Sequence, residues 1–308
     1  MSDRLDRRLD RRLDRRLDRR LDWDRDGGDW PNRAQSRFVA AGGINWHVQE
    51  MGQGPPLLLV HGTGATTHSW RGLLPLLAQH FAVVGPDLPG HGFTAQPAPH
   101  RMSLPGMAHL LGELLRVLNM RPEIVVGHSA GAAILARMCL DSLIAPRCLI
   151  SLNGALLPLG GLPGRLFSPL AKVLASNALA AQFFAWRAGD RNMVQRLLRG
   201  TGSTIDAAGA EIYQRLARNP AHVGAALSMM ANWDLHGLAH DLPKLKTRLV
   251  LVAGSNDRTI PSADAYRLHA LMPQAEVVRL PGLGHLAHEE QAERVADLIF
   301  KAVSTATS

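Results

Sequence analysis

The chain has 308 residues, of which 46% are hydrophobic and 19% charged, with a formal net charge of +8. That is enough for one large α/β domain or two ordinary ones with a sizeable core, while the lack of any run of about eighteen apolar residues argues against a transmembrane segment. The positive charge comes mostly from arginines scattered along the chain, without the aromatic interleaving or basic motif of a nucleic-acid module, so no nucleic acid is expected as a partner.

Two cysteines, Cys139 and Cys148, are too few for a disulfide scaffold or a metal site and fit a reducing cytoplasm. The N-terminus is charged rather than apolar, against a secretory signal peptide. Residues 1–22 repeat Arg-Leu-Asp-Arg with a period of four. On a 3.6-residue helix that spacing faces Arg with Arg and Asp with Asp, and the leucine line from Leu5 to Leu21 drifts around the axis. The expectation is a low-complexity segment outside the fold, with attachment to a membrane surface left open.

From residue 36 onward the pattern becomes strands. Residues 37–40 and 44–49 flank a Gly42-Gly43 turn and read as an antiparallel hairpin. Residues 57–60 form an unbroken apolar run of the kind buried on both faces of a parallel sheet. A helix over 70–79, a strand over 81–84, a helix over 104–119, a strand over 124–126, a helix over 130–140 and a strand over 148–152 follow. Residues 155–241 break the alternation with Pro/Gly-rich turns (158–164) and helical readings, so they read as a helical cap inserted at the sheet's carboxyl edge. Strand 248–252, helix 262–271, strand 276–280 and helix 289–303 complete the chain. The expected fold is α/β, a mostly parallel eight-stranded sheet with helices on both faces. Its core spans 23–154 and 242–308.

Gly127-His128-Ser129-Ala130-Gly131 sits between a strand and a helix, the context required by a G-x-S-x-G nucleophile elbow. Small residues flank the turn so that the serine is held strained and exposed, with the first helical N–H groups beside it. Asp257 and His285 each follow a later strand, at the edge where open α/β sheets carry their sites. A serine hydroxyl needs a histidine to take its proton, and that histidine needs a carboxylate to fix its tautomer, so Ser129, His285 and Asp257 are the expected catalytic triad. Asp234 and Asp241 are rival acids, and Asp87 reads as structural. The oxyanion hole is expected from backbone N–H groups of Ala130 and Thr63, with Gly62 next. His128, Leu156, Leu157, Trp186, Met229, Met230 and Trp233 are candidates for an apolar substrate pocket, a set that also fits plain core. Serine at the elbow argues against the Asp-dependent dehalogenases and epoxide hydrolases. No ligand cluster or phosphate-binding fingerprint appears, so no metal or cofactor is expected.

His61-Gly62-Thr63-Gly64-Ala65, the stretch from Pro86 to Thr94, the elbow and its helix, Ser151-Leu152-Asn153-Gly154-Ala155, Asn219-Pro220-Ala221-His222-Val223, Met230 to Leu235 and Gly282 to Glu290 together resemble the α/β-fold hydrolases encoded with bacteriochlorophyll biosynthesis genes, the magnesium-chelatase accessory protein family. The resemblance covers roughly 22–300; the repeat departs from it. It implies the α/β-hydrolase fold and a pathway handling magnesium tetrapyrroles but no particular reaction; the expected triad adds a serine esterase acting through an acyl-enzyme on a hydrophobic small molecule, a tetrapyrrole ester among the candidates. Two other readings stay open. One is a non-catalytic partner of the magnesium-chelatase subunits, holding a pigment whose carboxylates meet Arg187, Arg191 and Arg196. The other is a cofactor-free perhydrolase or carbon–carbon bond hydrolase on the same three residues.

Overall fold

The computed structural model describes residues 20–158, 178–187 and 190–304. Eight strands form one sheet: β1 (Ser36–Ala41), β2 (Ile44–Met51), β3 (Pro56–Val60), β4 (Ala82–Pro86), β5 (Ile124–His128), β6 (Cys148–Leu152), β7 (Arg248–Gly254) and β8 (Glu276–Leu280), in the order β1-β2-β4-β3-β5-β6-β7-β8. β1 pairs with β2, and β2 with β4, antiparallel; every pair from β4 to β8 is parallel. This is the mostly parallel eight-stranded sheet expected.

The apolar strands divide their side chains between two cores with the period of two that a pleat imposes. Leu57 and Leu59 of β3, Ile124 and Val126 of β5, and Val250 and Val252 of β7 pack on one face with the helix Ala292–Ser304. Leu58, Val60, Val125, Leu249 and Leu251 pack on the other, against the helices Leu104–Val117 and Ala130–Leu140. A continuous apolar run in sequence is thus two interleaved half-runs in space.

Two helices differ from expectation. The helix expected over 70–79 is a 3-10 turn, Thr67–Trp70, followed by a short helix, Leu73–Leu77. Pro75 has no N–H to offer Arg71 and its ring would clash with that carbonyl, so a helix reaching back to residue 70 is barred. The closing helix is broken at Gln291 into Ala287–Glu290 and Ala292–Ser304.

The segment expected to form a cap is helical where described: Ala178–Arg187, Arg191–Gly200, Ala207–Ala217, Pro220–Ala231 and His236–Asp241. Aspartate and asparagine side chains cap three of these, Asp190 bonding Asn192 N, Asp206 bonding Gly209 N and Asn219 bonding His222 N. The expected Pro/Gly turns over 159–164 and the Arg191 side chain lie outside the described residues, as do residues 1–19 of the repeat. The end of the repeat is engaged rather than outside the fold: Asp22 caps the helix Trp23–Asp26, and Leu21 packs on the cluster of Trp30, Phe93, Ile212 and Leu216. No helix among the described residues is long and apolar enough to cross a membrane.

Candidate active site

Ser129 stands at the turn from β5 into the helix Ala130–Leu140 with φ 52° and ψ −119°, a pose that costs a non-glycine residue of order 1–3 kcal/mol and persists only where its surroundings impose it. Those surroundings are visible. Ser129 N donates to Leu152 O (3.1 Å), and Ser129 O accepts from Ala155 N (3.0 Å). A side chain on Gly131 would lie 2.1 Å from Val60 O, and one on Gly127 2.5 Å from Ala132 N, so only glycine lets helix and strand approach this closely.

His285 and Asp257 meet as a hydrogen-bonded couple, Nδ1 to Oδ2 at 2.8 Å, with the carboxylate almost fully enclosed. The other carboxylate oxygen accepts from Thr259 N (2.7 Å) and Ile260 N (2.9 Å), so Asp257 is aimed before it meets the ring. An ionised carboxylate only accepts, so Nδ1 of His285 carries the proton and Nε2 is left as the acceptor. Among the described residues the ring makes no hydrogen bond to the Ser129 hydroxyl; its fixed contact is on the carboxylate side. The rival acids are engaged elsewhere. Asp241 pairs with Arg137 and Lys244, exposed Asp234 pairs with His236, and Asp87 is wholly buried, bonding His47 Nδ1 (2.8 Å), Thr67 N (2.6 Å) and Phe93 N (3.0 Å). Burial alone would raise the Asp87 carboxyl; His47 and these donors hold it well below the usual carboxylate range.

The loop after β3 lies against Ser129. A Cβ on Gly62 would be 2.9 Å from Ser129 Cβ, Ala130 is buried at the first helical position, and the Thr63 hydroxyl donates to Met229 Sδ at 3.5 Å. The first N–H groups of a helix have no intrahelical partner, so this corner can offer donors to a developing anion. His128 lies beside the same corner, its Nδ1 3.1 Å from where a Cβ on Gly62 would be. Its Nε2 donates to His285 O (3.0 Å), and its ring lies 4.7 Å from the His285 ring and 4.5 Å from the His288 ring. Burial pushes the His128 imidazole well below its usual value, so it is the neutral form that makes this bond.

The apolar candidates separate. Met229 is buried against Thr63, Leu156 is in the core just beyond the turn that bonds Ser129, and Leu157 and Trp233 are half-buried on that same core. Met230 is half-buried on the same cap helix as Met229. Trp186 departs from expectation: it is 72% exposed and lines an open groove of about 670 Å³ with Arg187, Arg218 and Pro220, because the helix Ala178–Arg187 turns it outward. Arg196 meets Asp190 at 3.8 Å on the surface.

Sequence reasoning missed Asn153. In the left-handed region (φ 45°) at the end of β6, its Nδ2 donates to Gly284 O (2.9 Å) and His285 O (2.8 Å) while its Oδ1 accepts from Gly254 N (2.7 Å). One amide thus ties the acid loop to the histidine loop. The available signal was an Asn-Gly pair ending an apolar strand, since asparagine tolerates that backbone region better than most residues. Among the described residues no group of three His, Cys, Asp or Glu side chains could hold a metal ion.

The profile of the alpha/beta hydrolase family matches residues 57–298. The magnesium-chelatase 30 kDa subunit of Rhodobacter capsulatus is 40% identical over 277 residues, covering 88% of this chain and 95% of that protein. The 2-hydroxy-6-oxo-6-(2'-aminophenyl)hexa-2,4-dienoic acid hydrolase of Metapseudomonas resinovorans is 28% identical over 278 residues, covering 87% and 90%. Among solved structures, an alpha/beta hydrolase fold protein from Burkholderia ambifaria superposes with a TM-score of 0.72 at 24% identity, covering 87% of this chain and 97% of that one, a likeness of fold.

Proposed function

The chain belongs to the alpha/beta hydrolase family, and from that premise we propose that it is a serine hydrolase whose triad is Ser129, His285 and Asp257. The observation that carries the reading is the enclosed 2.8 Å contact between His285 Nδ1 and Asp257 Oδ2, which leaves Nε2 as a base on the sheet edge where the strained Ser129 turn also stands. In the proposed reaction Nε2 takes the Ser129 proton as Oγ attacks an acyl carbonyl. The N–H groups of Ala130 and Thr63, with Gly62 next, receive the oxyanion. His285 then protonates the leaving alcohol, and a water activated by the same Nε2 releases the acid from the acyl-enzyme.

For the substrate, the 40% identity to a protein named as a magnesium-chelatase subunit supports an esterified intermediate of magnesium-tetrapyrrole synthesis. Met229, Leu156, Leu157 and Trp233 would supply the apolar wall, with partial association to chelatase subunits as a companion property. A second reading, carbon–carbon bond hydrolysis, rests on the 28% identical dienoic acid hydrolase and uses the same three residues.

A fluorophosphonate probe tests the first step. It is expected to label the wild type at a single site and to leave Ser129→Ala unlabelled. A strain carrying Ser129→Ala is expected to accumulate an esterified pigment precursor. Full pathway function in that strain would instead favour a non-catalytic partner, and absence of labelling in the wild type would remove the hydrolase reading.

A further inference from the structure

The expected cap segment reaches the catalytic loops directly. Between the helices Arg191–Gly200 and Ala207–Ala217 the chain dips, at residues 201–204, into the gap between the loop that carries Asp257 and the loop that carries His285. Thr201 O accepts from His285 N (3.3 Å) and from Arg258 N (3.1 Å), one donor from each loop. Ser203, only 4% exposed, accepts from Leu286 N through its hydroxyl at 2.8 Å. Glu290 closes the set, its carboxylate accepting from Gly284 N (2.8 Å) and from Thr204 N (3.1 Å). The fit leaves no slack at Gly202: its φ is +83°, a side chain there would lie 1.8 Å from Asn256 O, and one on Gly284 would lie 2.3 Å from the Gly202 carbonyl carbon.

These contacts fall on the N–H groups of residues 284, 285 and 286, each held by residues 201–203 or by Glu290. Asn153 holds the carbonyls of 284 and 285 from the sheet side. The histidine loop is therefore gripped from two directions, and one of the two grips belongs to the segment that joins the helices Arg191–Gly200 and Ala207–Ala217.

We propose that residues 201–204 are a positioning element for His285: wedged between the acid and histidine loops, this cap segment sets the distance and aim of the imidazole toward the Ser129 hydroxyl. The inference rests on the serine-hydrolase reading. Reacting groups have to be held within a fraction of an ångström, and a misplacement of about 1 Å costs on the order of a hundredfold in rate. Ser203 and Thr201 thus act through His285 and touch no substrate.

The test compares Ser203→Ala, Ser203→Thr and Gly202→Ala with the wild type in fluorophosphonate labelling of Ser129 across a pH series, together with thermal unfolding and the downfield proton resonance of the His285–Asp257 hydrogen bond. Ser203→Ala leaves the Leu286 N–H buried without an acceptor. It is expected to slow labelling at saturating probe by about tenfold or more, leave half-saturation unchanged and displace the downfield resonance, while Ser203→Thr restores both. Gly202→Ala is expected to act in the same sense and more strongly. Wild-type labelling rates in Ser203→Ala and Gly202→Ala, or rates that fall only with the folded fraction while the resonance stays in place, would overturn the proposal. If the wild type does not label at all, the hydrolase reading fails, and the resonance alone decides whether the segment positions the ring.

Discussion

Asp257 has both carboxylate oxygens committed, one to two backbone N–H groups and one to His285. In Asp257→Asn the amide is free to turn its NH₂ toward the ring, which favours the tautomer with the proton on Nε2 and removes the base. The expected loss of kcat on a p-nitrophenyl ester is about 10⁴-fold, the size of the corresponding change in the trypsin-type triad, with little change in stability. Asp87 is the opposite case. It is as well hydrogen-bonded as Asp257 but its partners are His47 and the chain turns at Thr67 and Phe93. Asp87→Ala breaks a buried pair and is expected to cost about 3–5 kcal/mol in urea unfolding, with probe labelling retained by whatever fraction stays folded. That Asp257 rather than Asp234 or Asp241 would meet the histidine followed from position after a strand; Asp87 also follows a strand, and its buried partners are what make it structural. That Asn153 and Ser203 hold the histidine loop was illegible, because each is a small polar residue whose meaning lies in a partner about 80 to 130 places away.

Among elements, the N-terminal segment ties the cap to the sheet, and magnitudes separate what holds it. Trp30 is buried, donates its indole N–H to Thr67 Oγ1 (3.1 Å) and packs on Phe93, Ile212 and Leu216. Arg215 reaches Asp29 in a two-pronged pair at 2.7 Å, but the Asp29 side chain is 70% exposed. Trp30→Ala is therefore expected to lower unfolding free energy by about 3–5 kcal/mol, and Arg215→Ala by about 1 kcal/mol or less. Equal losses in the two variants would mean that the ion pair fastens the segment as strongly as the aromatic cluster does. At this scale the strands and their order of appearance were readable from apolar periodicity, as were most helices. The exceptions were local: Pro75 shortened one helix, and Gln291 divided the last one, with Glu289 turned to Ser69 and Tyr213 and Glu290 to Gly284 and Thr204.

Over the whole molecule, His61, His68, His91, His128, His222 and His288 are buried, and burial is the main cause that pushes each imidazole down, His222 to about 4 and His288 to about 3. An unfolded histidine titrates near 6.5, so below about pH 6.5 the unfolded chain takes up protons that the folded one refuses. Stability is thus intact above that value and is lost as pH falls toward the folded values. The expected outcome is cooperative acid unfolding with a midpoint above about pH 4, followed by circular dichroism, and a shallower slope in His222→Gln by about one proton. A midpoint below about pH 3 would show that these rings are solvated. Adding Asp87, whose lowered carboxyl stabilises the fold above its unfolded value and ceases to do so as it protonates, steepens the acid limb further.

The order of strands and helices, the elbow at Ser129, and the placing of Asp257 and His285 at strand ends were determined by sequence alone, because hydrophobic period, glycine positions and turn chemistry act within a few residues of where they are written. How the histidine loop is held, and which of the apolar candidates are buried rather than exposed, were decided only by the tertiary structure. Those are relations among segments that the chain brings together after folding, and the hydrogen bonds that enforce them use backbone groups every residue carries.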